Sequence, residues 1–271
     1  MRLFDTHCHF ETDDAGEIAA ILSRAKAAGV EKILAVGGSP KLNRSVAVAM
    51  TLTKEEGRRK KEEGRRKKEE GGTGRGEYPV VLGAMGFDRD QVDLVNKDQP
   101  SPLLPSSLSA IGEIGLDYHY SPETRNEQLA LFAKQLEEAR RLDLPVIIHT
   151  REAEEDTIAL LRETPSRGVI HCFTGTPDEA KAYLDLGFFV SFSGIVTFRL
   201  ADNVRESARV VPDDRILVET DSPFLAPVPM RGRPNEPAFV AHVCEFLAGQ
   251  RGFAPDDFAE LTFANAERAF A

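Results

Sequence analysis

Two histidines near the start of the sequence have the type and the spacing to bind a cation. His7 and His9 end the first apolar run of the chain, in the string Asp5-Thr6-His7-Cys8-His9. Residues two apart on a β-strand share a face, so both imidazoles would point the same way. A histidine pair can also be satisfied by hydrogen bonds inside a core, so the pair alone leaves a metal site and a structural role equally open.

Four more ionisable residues stand at the ends of later apolar runs and have the chemistry of metal ligands. They are Glu113, His149, His171 and Asp221. Burying so many imidazoles and carboxylates without partners would be costly, and a compensating cation is the simplest explanation. Together with the first two histidines they predict a site of nitrogen and oxygen ligands. The site has room for two ions about 3.5 to 4 Å apart if Glu113 bridges them.

The apolar runs that carry these residues alternate with amphipathic stretches along the whole chain. Strands are predicted at 2–4, 32–36, 80–84, 109–114, 146–149, 168–172, 188–191 and 216–219, and helices at 15–28, 127–142, 178–186 and 203–210. This alternation predicts an α/β fold, a single (β/α)8 TIM barrel domain over residues 1–271. Together with the candidate ligands it predicts a barrel of the metal-dependent hydrolase type. In such a barrel the carboxyl ends of all strands open onto one face, where the candidate ligands would meet.

Composition excludes several other classes of protein. Hydrophobic residues make up 41% and charged residues 29% of the 271-residue chain, which is typical of a globular domain. The formal net charge of −10 argues against a broad basic surface, although bound cations could still attract phosphate to a nuclease site. Cys8, Cys172 and Cys244 are too scattered for a disulfide framework, which favours a reducing compartment, the cytoplasm. No run approaches the roughly 18 apolar residues of a membrane span, and no obligate protein partner is indicated.

One segment, at about 54–76, interrupts the alternation of strands and helices. It repeats EEGRRKK twice, contains no apolar residue and has ten Lys and Arg against six Glu. Its seven-residue period lacks the apolar a and d positions of a coiled coil. We interpret it as a low-complexity charged insertion that forms a solvated, mobile surface loop, with a nucleic-acid-binding arm as the alternative.

Longer motifs around the candidate ligands resemble those of a known family. They read DTHCHFE, AIGEIGLDY, QLEEARRLDLPVIIHTREA, HCFTGTPDEA, FFVSFSGIVTF, ETDSPFLAP and RGRPNEPAFV. Apart from the insertion, nearly the whole chain is similar to the TatD-type metal-dependent deoxyribonucleases, part of the amidohydrolase-like barrel group. The resemblance implies two divalent metal ions, Mg, Mn or Zn, with Glu113 between them. It implies that one ion is held by His7, His9 and Asp221 and the other by His149 and His171.

The function expected from this resemblance is hydrolysis of DNA phosphodiester bonds with a metal-activated water. We expect exonucleolytic cleavage of single strands, because an acidic protein with a narrow site lacks a surface to grip a duplex. Glu113 and Asp221 are the predicted catalytic residues, and Asp221 would accept the proton of the water. Asp221, before Ser222-Pro223, could also cap a helix. Two other functions stay open: a metal-dependent ester or amide hydrolase, such as an aminoacyl-tRNA deacylase, and a non-catalytic metal-binding barrel.

Other polar residues near the predicted ligands have the chemistry to contact substrate. Guanidinium groups bind phosphate oxygens through paired hydrogen bonds, although surface solvation would explain the same residues. The predicted substrate contacts are Arg151, Arg231, Arg233 and Asn235. Asp5 is expected to hydrogen-bond a ligand histidine and so fix its tautomer.

One position departs from the family pattern. After the third strand the family has a glycine, an apolar residue and then His-Pro, with the histidine facing the substrate phosphate. This chain reads Gly86-Phe87-Asp88-Arg89. Asp88 would place an acceptor beside a phosphate, which is unfavourable unless Arg89 compensates or the substrate differs. His119, in a predicted loop beyond the fourth strand, could also touch substrate.

Overall fold

Eight runs rich in Val, Ile, Leu and Ala form parallel strands in the computed structural model, which describes residues 1–67, 77–94 and 107–271. The strands are β1 (Leu3–Cys8), β2 (Val30–Gly38), β3 (Val80–Phe87), β4 (Ala110–Asp117), β5 (Val146–Arg151), β6 (Gly168–Ile170), β7 (Phe189–Phe192) and β8 (Ile216–Val218). Each strand pairs in parallel with the next one along the chain. A bridge between Cys8 and Ser222 joins the end of β1 to the segment after β8. The predicted (β/α)8 TIM barrel is confirmed.

Helices surround the barrel. They are α1 (Ala15–Ala27), α2 (Pro40–Lys67), α3 (Arg125–Leu142), α4 (Glu154–Glu163), α5 (Pro177–Asp185), α6 (Asp202–Val210), α7 (Val240–Arg251) and α8 (Pro255–Ala269). A short 3-10 helix, Arg89–Leu94, follows β3. Each connection returns the chain to the start of the next strand. All carboxyl ends of the strands therefore open onto one face, which we call the mouth, and all strands start at the opposite face, the base.

Helix ends follow the local sequence. α1 begins after Asp14, whose carboxylate accepts the N–H of Glu17 at 2.8 Å. α5 begins with a capping box, in which Thr176 and Glu179 each accept the other's backbone N–H. Gly29 lies two residues beyond α1 with φ of +90°, a conformation that other residues rarely adopt. These local signals explain why the predicted bounds of several helices agree with the observed ones to within two residues.

The predicted strands are all present, but the first five continue beyond their predicted ends. β4 continues to Asp117 and β5 to Arg151, so Glu113 and His149 lie inside strands and do not close them as predicted. His171 and Asp221 do lie just beyond β6 and β8. The prediction failed for β4 and β5 because polar side chains that face the mouth leave the backbone free to continue pairing.

The charged insertion begins as a helix. The predicted surface loop is wrong for residues 54–67, because α2 continues through them. Glu, Lys and Arg are good helix formers, so they can extend a helix that an amphipathic segment has already started. Glu56 is buried, and its carboxylate accepts the backbone N–H groups of Glu77 and Tyr78. Residues 68–76 of the predicted insertion lie outside the described residues.

Two apolar clusters fill the fold below the mouth. One contains residues of all eight strands, among them Phe4, Leu34, Ile147 and Leu217. Of the described helices only α8 contributes to it, so it lies inside the barrel. Phe263 of α8 packs against it. The larger cluster lies between the strands and the helices. Among the described helices, none is long and apolar enough to span a membrane.

Candidate metal centre

The first half of the candidate site is built from the ends of β1 and β8. Nε2 of His7 and Nε2 of His9 are 3.0 Å apart, and each lies 3.7 Å from Oδ1 of Asp221. The same two nitrogens lie 3.6 and 3.4 Å from Oε2 of Glu113. We call His7, His9, Asp221 and this oxygen the inner half-site. Its side chains are almost completely buried.

The second half is built from the middle of the sheet. Oε1 of Glu113 lies 3.1 Å from Nδ1 of His149 and 3.3 Å from Nε2 of His171. These two ring nitrogens are 3.3 Å apart. We call His149, His171 and Oε1 the outer half-site. The ring of His171 stacks on that of His7 at 3.9 Å between centroids, so the two half-sites are in direct contact.

The spacing of these donor atoms fits a divalent ion. Four donors arranged tetrahedrally at about 2.1 Å from a metal would lie about 3.4 Å from one another. The donor separations of 3.0 to 3.7 Å in this centre lie on both sides of that value. Three overlapping groups each have their donor atoms within 4.8 Å of one another and could hold an ion. They are His7, His171 and Asp221; His7, His9 and Glu113; and Glu113, His149 and His171.

The charge balance of the centre also fits a cation. Burial would raise the pKa of Glu113, but the neighbouring His171 charge and the hydrogen bonds from three histidines hold that pKa well below its usual value. In return, Glu113 helps to raise the pKa values of His9 and His149, and raises that of His171 well above its usual value, against the effect of burial. The protein alone therefore holds protons where a metal ion would carry the positive charge.

Two groups of the inner half-site shift in the other direction. Burial and the neighbouring histidines hold the pKa of His7 well below its usual value. Burial raises the pKa of Asp221 to about 6, with the histidines opposing the shift. His7 is therefore held neutral, which is the form that binds metal, and Asp221 takes up a proton more readily than an ordinary carboxylate.

The histidines are oriented by partners that the sequence analysis did not identify. Nδ1 of His9 lies 2.9 Å from the carbonyl oxygen of Val36. Nε2 of His149 lies 3.0 Å from Oδ2 of Asp117, and Nδ1 of His171 lies 3.4 Å from Oε1 of Glu219. Such contacts fix which ring nitrogen faces a metal. The only signal in the sequence was that Asp117, in GLDY, lies close to Glu113 and that Glu219, in ETD, lies close to Asp221.

Asp5 does not support a ligand histidine through its ring, and that prediction is wrong. Its buried carboxylate accepts the N–H of Thr220 at 2.9 Å and the hydroxyl of Thr220 at 2.6 Å, together with the backbone N–H of His7 at 3.4 Å. Both carboxylate oxygens accept backbone or hydroxyl donors, and no histidine ring among the described residues donates to them. Asp5 instead ties β1 to the segment after β8.

Asp221 does not cap a helix. No helix begins near it, because the chain after β8 runs as a loop until the 3-10 turn at Pro237–Phe239. Asp221 adopts a left-handed conformation with φ of +57°, and its N–H donates to the carbonyl oxygen of His7 at 2.9 Å. His9 donates its N–H to Ser222 in the same way, at 2.8 Å. These bonds hold the inner half-site where the end of β1 meets the segment after β8. We call this junction the seam of the barrel.

The predicted substrate contacts are placed in different environments. The guanidinium of Arg151 lies 4.7 Å from the ring centroid of Tyr120, at the mouth. Arg231 packs on the ring of Phe198 at 3.8 Å, and Arg233 is exposed. Asn235 is only 5% exposed, and its amide donates to two carbonyl oxygens of the loop after β8. That position gives no support to a substrate contact for Asn235, whereas the three arginines are accessible.

The residues after β3 take roles that their order in the sequence did not show. Asp88 accepts the N–H of Asp90 at 3.0 Å and so starts the 3-10 helix. Arg89, the next residue, reaches the outer half-site, where its Nη1 lies 3.5 Å from Oε1 of Glu113. His119 is paired at 2.7 Å with Glu152 near the mouth. The carboxylate of Asp88 is therefore engaged by a backbone N–H of the turn, and the guanidinium of Arg89 supplies a donor at the site.

Fold and site together fit a class, the barrel hydrolases that work with divalent metal ions at the carboxyl ends of their strands. Within that class the chain belongs to the family described as TatD related DNase, whose sequence profile matches residues 4–271. The resemblance stated from the motifs is thereby confirmed.

Similar proteins carry related names. The chain is 34% identical over 277 residues to the uncharacterized metal-dependent hydrolase YabD of Bacillus subtilis (strain 168), covering 99% of this chain and 98% of YabD. It is 52% identical over 164 residues to the uncharacterized metal-dependent hydrolase YcfH of Escherichia coli (strain K12), which covers 59% of this chain and 62% of YcfH, less than two thirds of that relative. It is 41% identical over 179 residues to the 3'-5' ssDNA/RNA exonuclease TatD of Rahnella sp. (strain Y9602), covering 62% and 67%.

Solved structures agree with the fold. The TatD homolog YJJV from Escherichia coli K12 superposes with a TM-score of 0.76 at 26% identity, over 99% of this chain and 98% of that one. A hydrolase TatD family protein from Entamoeba histolytica reaches 0.78 at 17% identity, over 100% and 98%, and supports the fold alone.

Proposed function

We propose that this protein is a metal-dependent nuclease that hydrolyses phosphodiester bonds at an end of single-stranded DNA. The observation that carries the proposal is the position of Glu113, whose two carboxylate oxygens face two separate groups of histidines. A carboxylate in that position can be shared by two ions. A relative of similar sequence is named a 3'-5' ssDNA/RNA exonuclease, which supports nucleic acid as the substrate.

In this proposal the inner half-site would hold one divalent ion and the outer half-site a second, with Glu113 shared by both. Mg, Mn and Zn all suit imidazole and carboxylate ligands to different degrees. Ions bound there would supply the positive charge that activates water for attack and neutralises the leaving oxygen. The protein supplies the orientation, through Val36, Asp117 and Glu219 behind the ligand rings.

Asp221 is the proposed proton acceptor for the attacking water. Burial raises its pKa to about 6 in the protein alone, so this carboxyl takes up a proton more readily than an ordinary one. The backbone on either side is fixed to β1, because Asp221 donates its N–H to His7 and Ser222 accepts that of His9. The carboxylate is therefore held at the mouth with little freedom to move away from the reacting atoms.

Exposed rings near the mouth support a single strand as the substrate. Tyr120, beyond β4, is 64% exposed and lies against the guanidinium of Arg151. Phe224, beyond β8, is 52% exposed. Because β4 and β8 lie on opposite sides of an eight-stranded barrel, the two rings flank the mouth from opposite sides. Unpaired bases stack on such rings, whereas a duplex keeps its bases hidden.

Nucleotide release from labelled single-stranded DNA tests the proposal. The purified protein is incubated with Mg²⁺, Mn²⁺ or Zn²⁺ and with substrate labelled at the 3' or the 5' end, beside a duplex of the same sequence. We expect stepwise shortening from one end, little cleavage of the duplex and no reaction in chelator. Failure to release nucleotides with every metal would contradict the nuclease assignment.

Metal analysis tests the two-ion arrangement separately. We expect about two ions per wild-type chain after loading, and one after His149→Ala removes a ligand of the outer half-site. An unchanged metal content in this variant, in a protein that folds, would contradict the assignment of His149 as a ligand.

Replacing Tyr120 tests the stacking surface. We expect Tyr120→Ala to raise KM for single-stranded DNA roughly tenfold, since stacking contributes about 1 to 3 kcal/mol per base. Tyr120→Phe should behave as the wild type because it keeps the ring. The measurement is steady-state kinetics, and equal KM values for Tyr120→Ala and the wild type would remove Tyr120 from the substrate path.

A further inference from the structure

Arg89 brings a guanidinium group against the outer half-site. Three carboxylates lie within 4 Å of it: Oε1 of Glu113 is 3.5 Å from Nη1, and Nε is 3.8 Å from Asp90 and 3.9 Å from Asp117. The side chain is 20% exposed. Its Nε is buried and has no hydrogen-bond partner among the described residues.

The contacts of Arg89 are long for a guanidinium beside carboxylates. Elsewhere in the molecule such pairs are close: Arg125 lies 2.7 Å from Asp156, and Arg141 lies 2.6 Å from Glu138. Charge-assisted hydrogen bonds of this kind are normally about 2.7 to 2.9 Å long. Arg89 thus has donor groups that its carboxylate neighbours do not fill, at a place where leaving them unfilled is costly.

The oxygen of Glu113 nearest to Arg89 already has other neighbours. Nδ1 of His149 and Nε2 of His171 lie 3.1 and 3.3 Å from it. When these groups hold a cation, the guanidinium faces a second positive charge at short range, and the two repel each other. An oxygen of an anion that contacts both positive groups would relieve the repulsion. A neutral ester or amide would do so much less.

The turn after β3 aims Arg89 at this place. Asp88 donates its backbone N–H to the carbonyl oxygen of Gly38 at 2.8 Å, and its carboxylate accepts the N–H of Asp90 at 3.0 Å. The first residue of the 3-10 helix is then Arg89. The carboxylate of Asp88 is used by the turn, and the guanidinium of Arg89 enters the site.

We propose that Arg89 binds the phosphate of the substrate at the outer half-site and makes the site selective for phosphodiesters over neutral esters. This inference rests on the proposed function, because it assumes that the substrate is a phosphodiester. It deepens that function by naming the residue that recognises the anion. Arg89 also lowers the affinity of the outer half-site for a metal ion until an anion is present.

The test compares Arg89→Met and Arg89→Lys with the wild type and with Arg141→Met, which removes a paired arginine from the base end of α3. Binding of inorganic phosphate to the Mn²⁺-loaded protein is measured by calorimetry. Mn²⁺ affinity is measured without phosphate. Hydrolysis is measured for bis(p-nitrophenyl) phosphate and for p-nitrophenyl acetate, and circular dichroism checks that each variant is folded.

We expect Arg89→Met to weaken phosphate binding at least tenfold and to bind Mn²⁺ more tightly than the wild type. It should lose hydrolysis of the phosphodiester by a larger factor than that of the acetate. Arg89→Lys, which keeps the charge without the planar fork, should fall between the two, and Arg141→Met should match the wild type. Arg89→Lys carries the test if Arg89→Met does not fold.

Phosphate binding by both Arg89 variants equal to that of the wild type would overturn the inference. Failure of the proposed function looks different, because the wild type would then hydrolyse neither DNA nor the phosphodiester. Phosphate binding and Mn²⁺ affinity still test Arg89 in that case.

Discussion

The two half-sites that share Glu113 are held in place in different ways. The inner half-site sits on the seam of the barrel, where backbone hydrogen bonds join His7 to Asp221 and His9 to Ser222. The outer half-site lies in the middle of the sheet. There the side chains of Asp117 and Glu219 orient the rings, and Arg89 stands beside them.

This difference predicts that the two half-sites affect different properties of the protein. A change in the inner half-site disturbs the contacts that close the barrel, so we expect it to lower the free energy of unfolding as well as metal binding. A change in the outer half-site alters side chains around a frame that stays closed. It should alter metal affinity and substrate choice with a smaller effect on the fold.

The largest effect is expected where the two half-sites meet. Glu113→Ala removes the carboxylate that both half-sites share. Turnover should fall roughly a thousandfold or more, because an interaction that stabilises the transition state is lost. The fold should survive, because Glu113 lies at the mouth and not in the apolar core. Nucleotide release and circular dichroism are the measurements.

Glu267→Ala, an exposed glutamate on α8, is the control for Glu113→Ala and should be fully active. If Glu113→Ala kept near wild-type turnover, the shared role of this carboxylate would be wrong, and with it the comparison of two half-sites.

The next effect is on the seam. Asp5→Ala leaves the N–H and the hydroxyl of Thr220 without their acceptor in a buried place, which should lower the free energy of unfolding by about 2 to 4 kcal/mol. Asp5→Asn keeps one acceptor and should lose less. Urea denaturation of the metal-free protein measures both. A wild-type midpoint for Asp5→Ala would mean that the seam does not depend on this residue.

The outer half-site should respond through affinity. Asp117→Asn weakens the orientation of His149, and removing such a partner typically reduces metal affinity by about 10- to 100-fold. One of the two ions should be affected and the other should not. Titration with Mn²⁺ shows this as one weakened step. Asp143→Asn, on an exposed helix end at the base, is the matched control, and two equally weakened steps would contradict independent half-sites.

The last effect concerns pH and leaves the chain unchanged. The pKa of His149 is raised and that of His171 is raised well above its usual value, so both hold protons that a metal ion must displace. Metal affinity should therefore rise as the pH rises, by up to about tenfold per pH unit for each proton released, and level off above the raised pKa values.

Calorimetry in buffers with different ionisation enthalpies counts the protons released on metal binding. Affinity that does not change between pH 6 and 8 would mean that the histidines are already neutral in the protein alone.

The sequence was a good guide to the fold and to the candidate ligands. All eight strands could be located from apolar runs separated by amphipathic stretches, because a strand buried on both faces is a nearly continuous run of apolar residues. His7, His171 and the other candidate ligands stood out because burying an ionisable residue at the end of an apolar run is costly without a partner. The family motifs then supplied the grouping.

What the sequence did not provide depends on distant parts of the chain. Asp5 is 215 residues away from Thr220, its partner across the seam, and no spacing rule relates them. Asp117 and Glu219 look like ordinary acidic neighbours until the barrel brings imidazoles beside them. The helix through residues 54–67 was missed because it lacks an apolar face and is an extension of a helix started elsewhere.

Glu56 accepts the backbone N–H groups of Glu77 and Tyr78, so the residues that border the stretch 57–76 lie together. This contact lies beside the start of β3, at the opposite end of the barrel from the mouth. An excursion that begins and ends at the same place can change its length without changing the path of the strands around it. We therefore expect that sequence changes in residues 57–76, or a label attached there, leave the chemistry at the mouth unchanged.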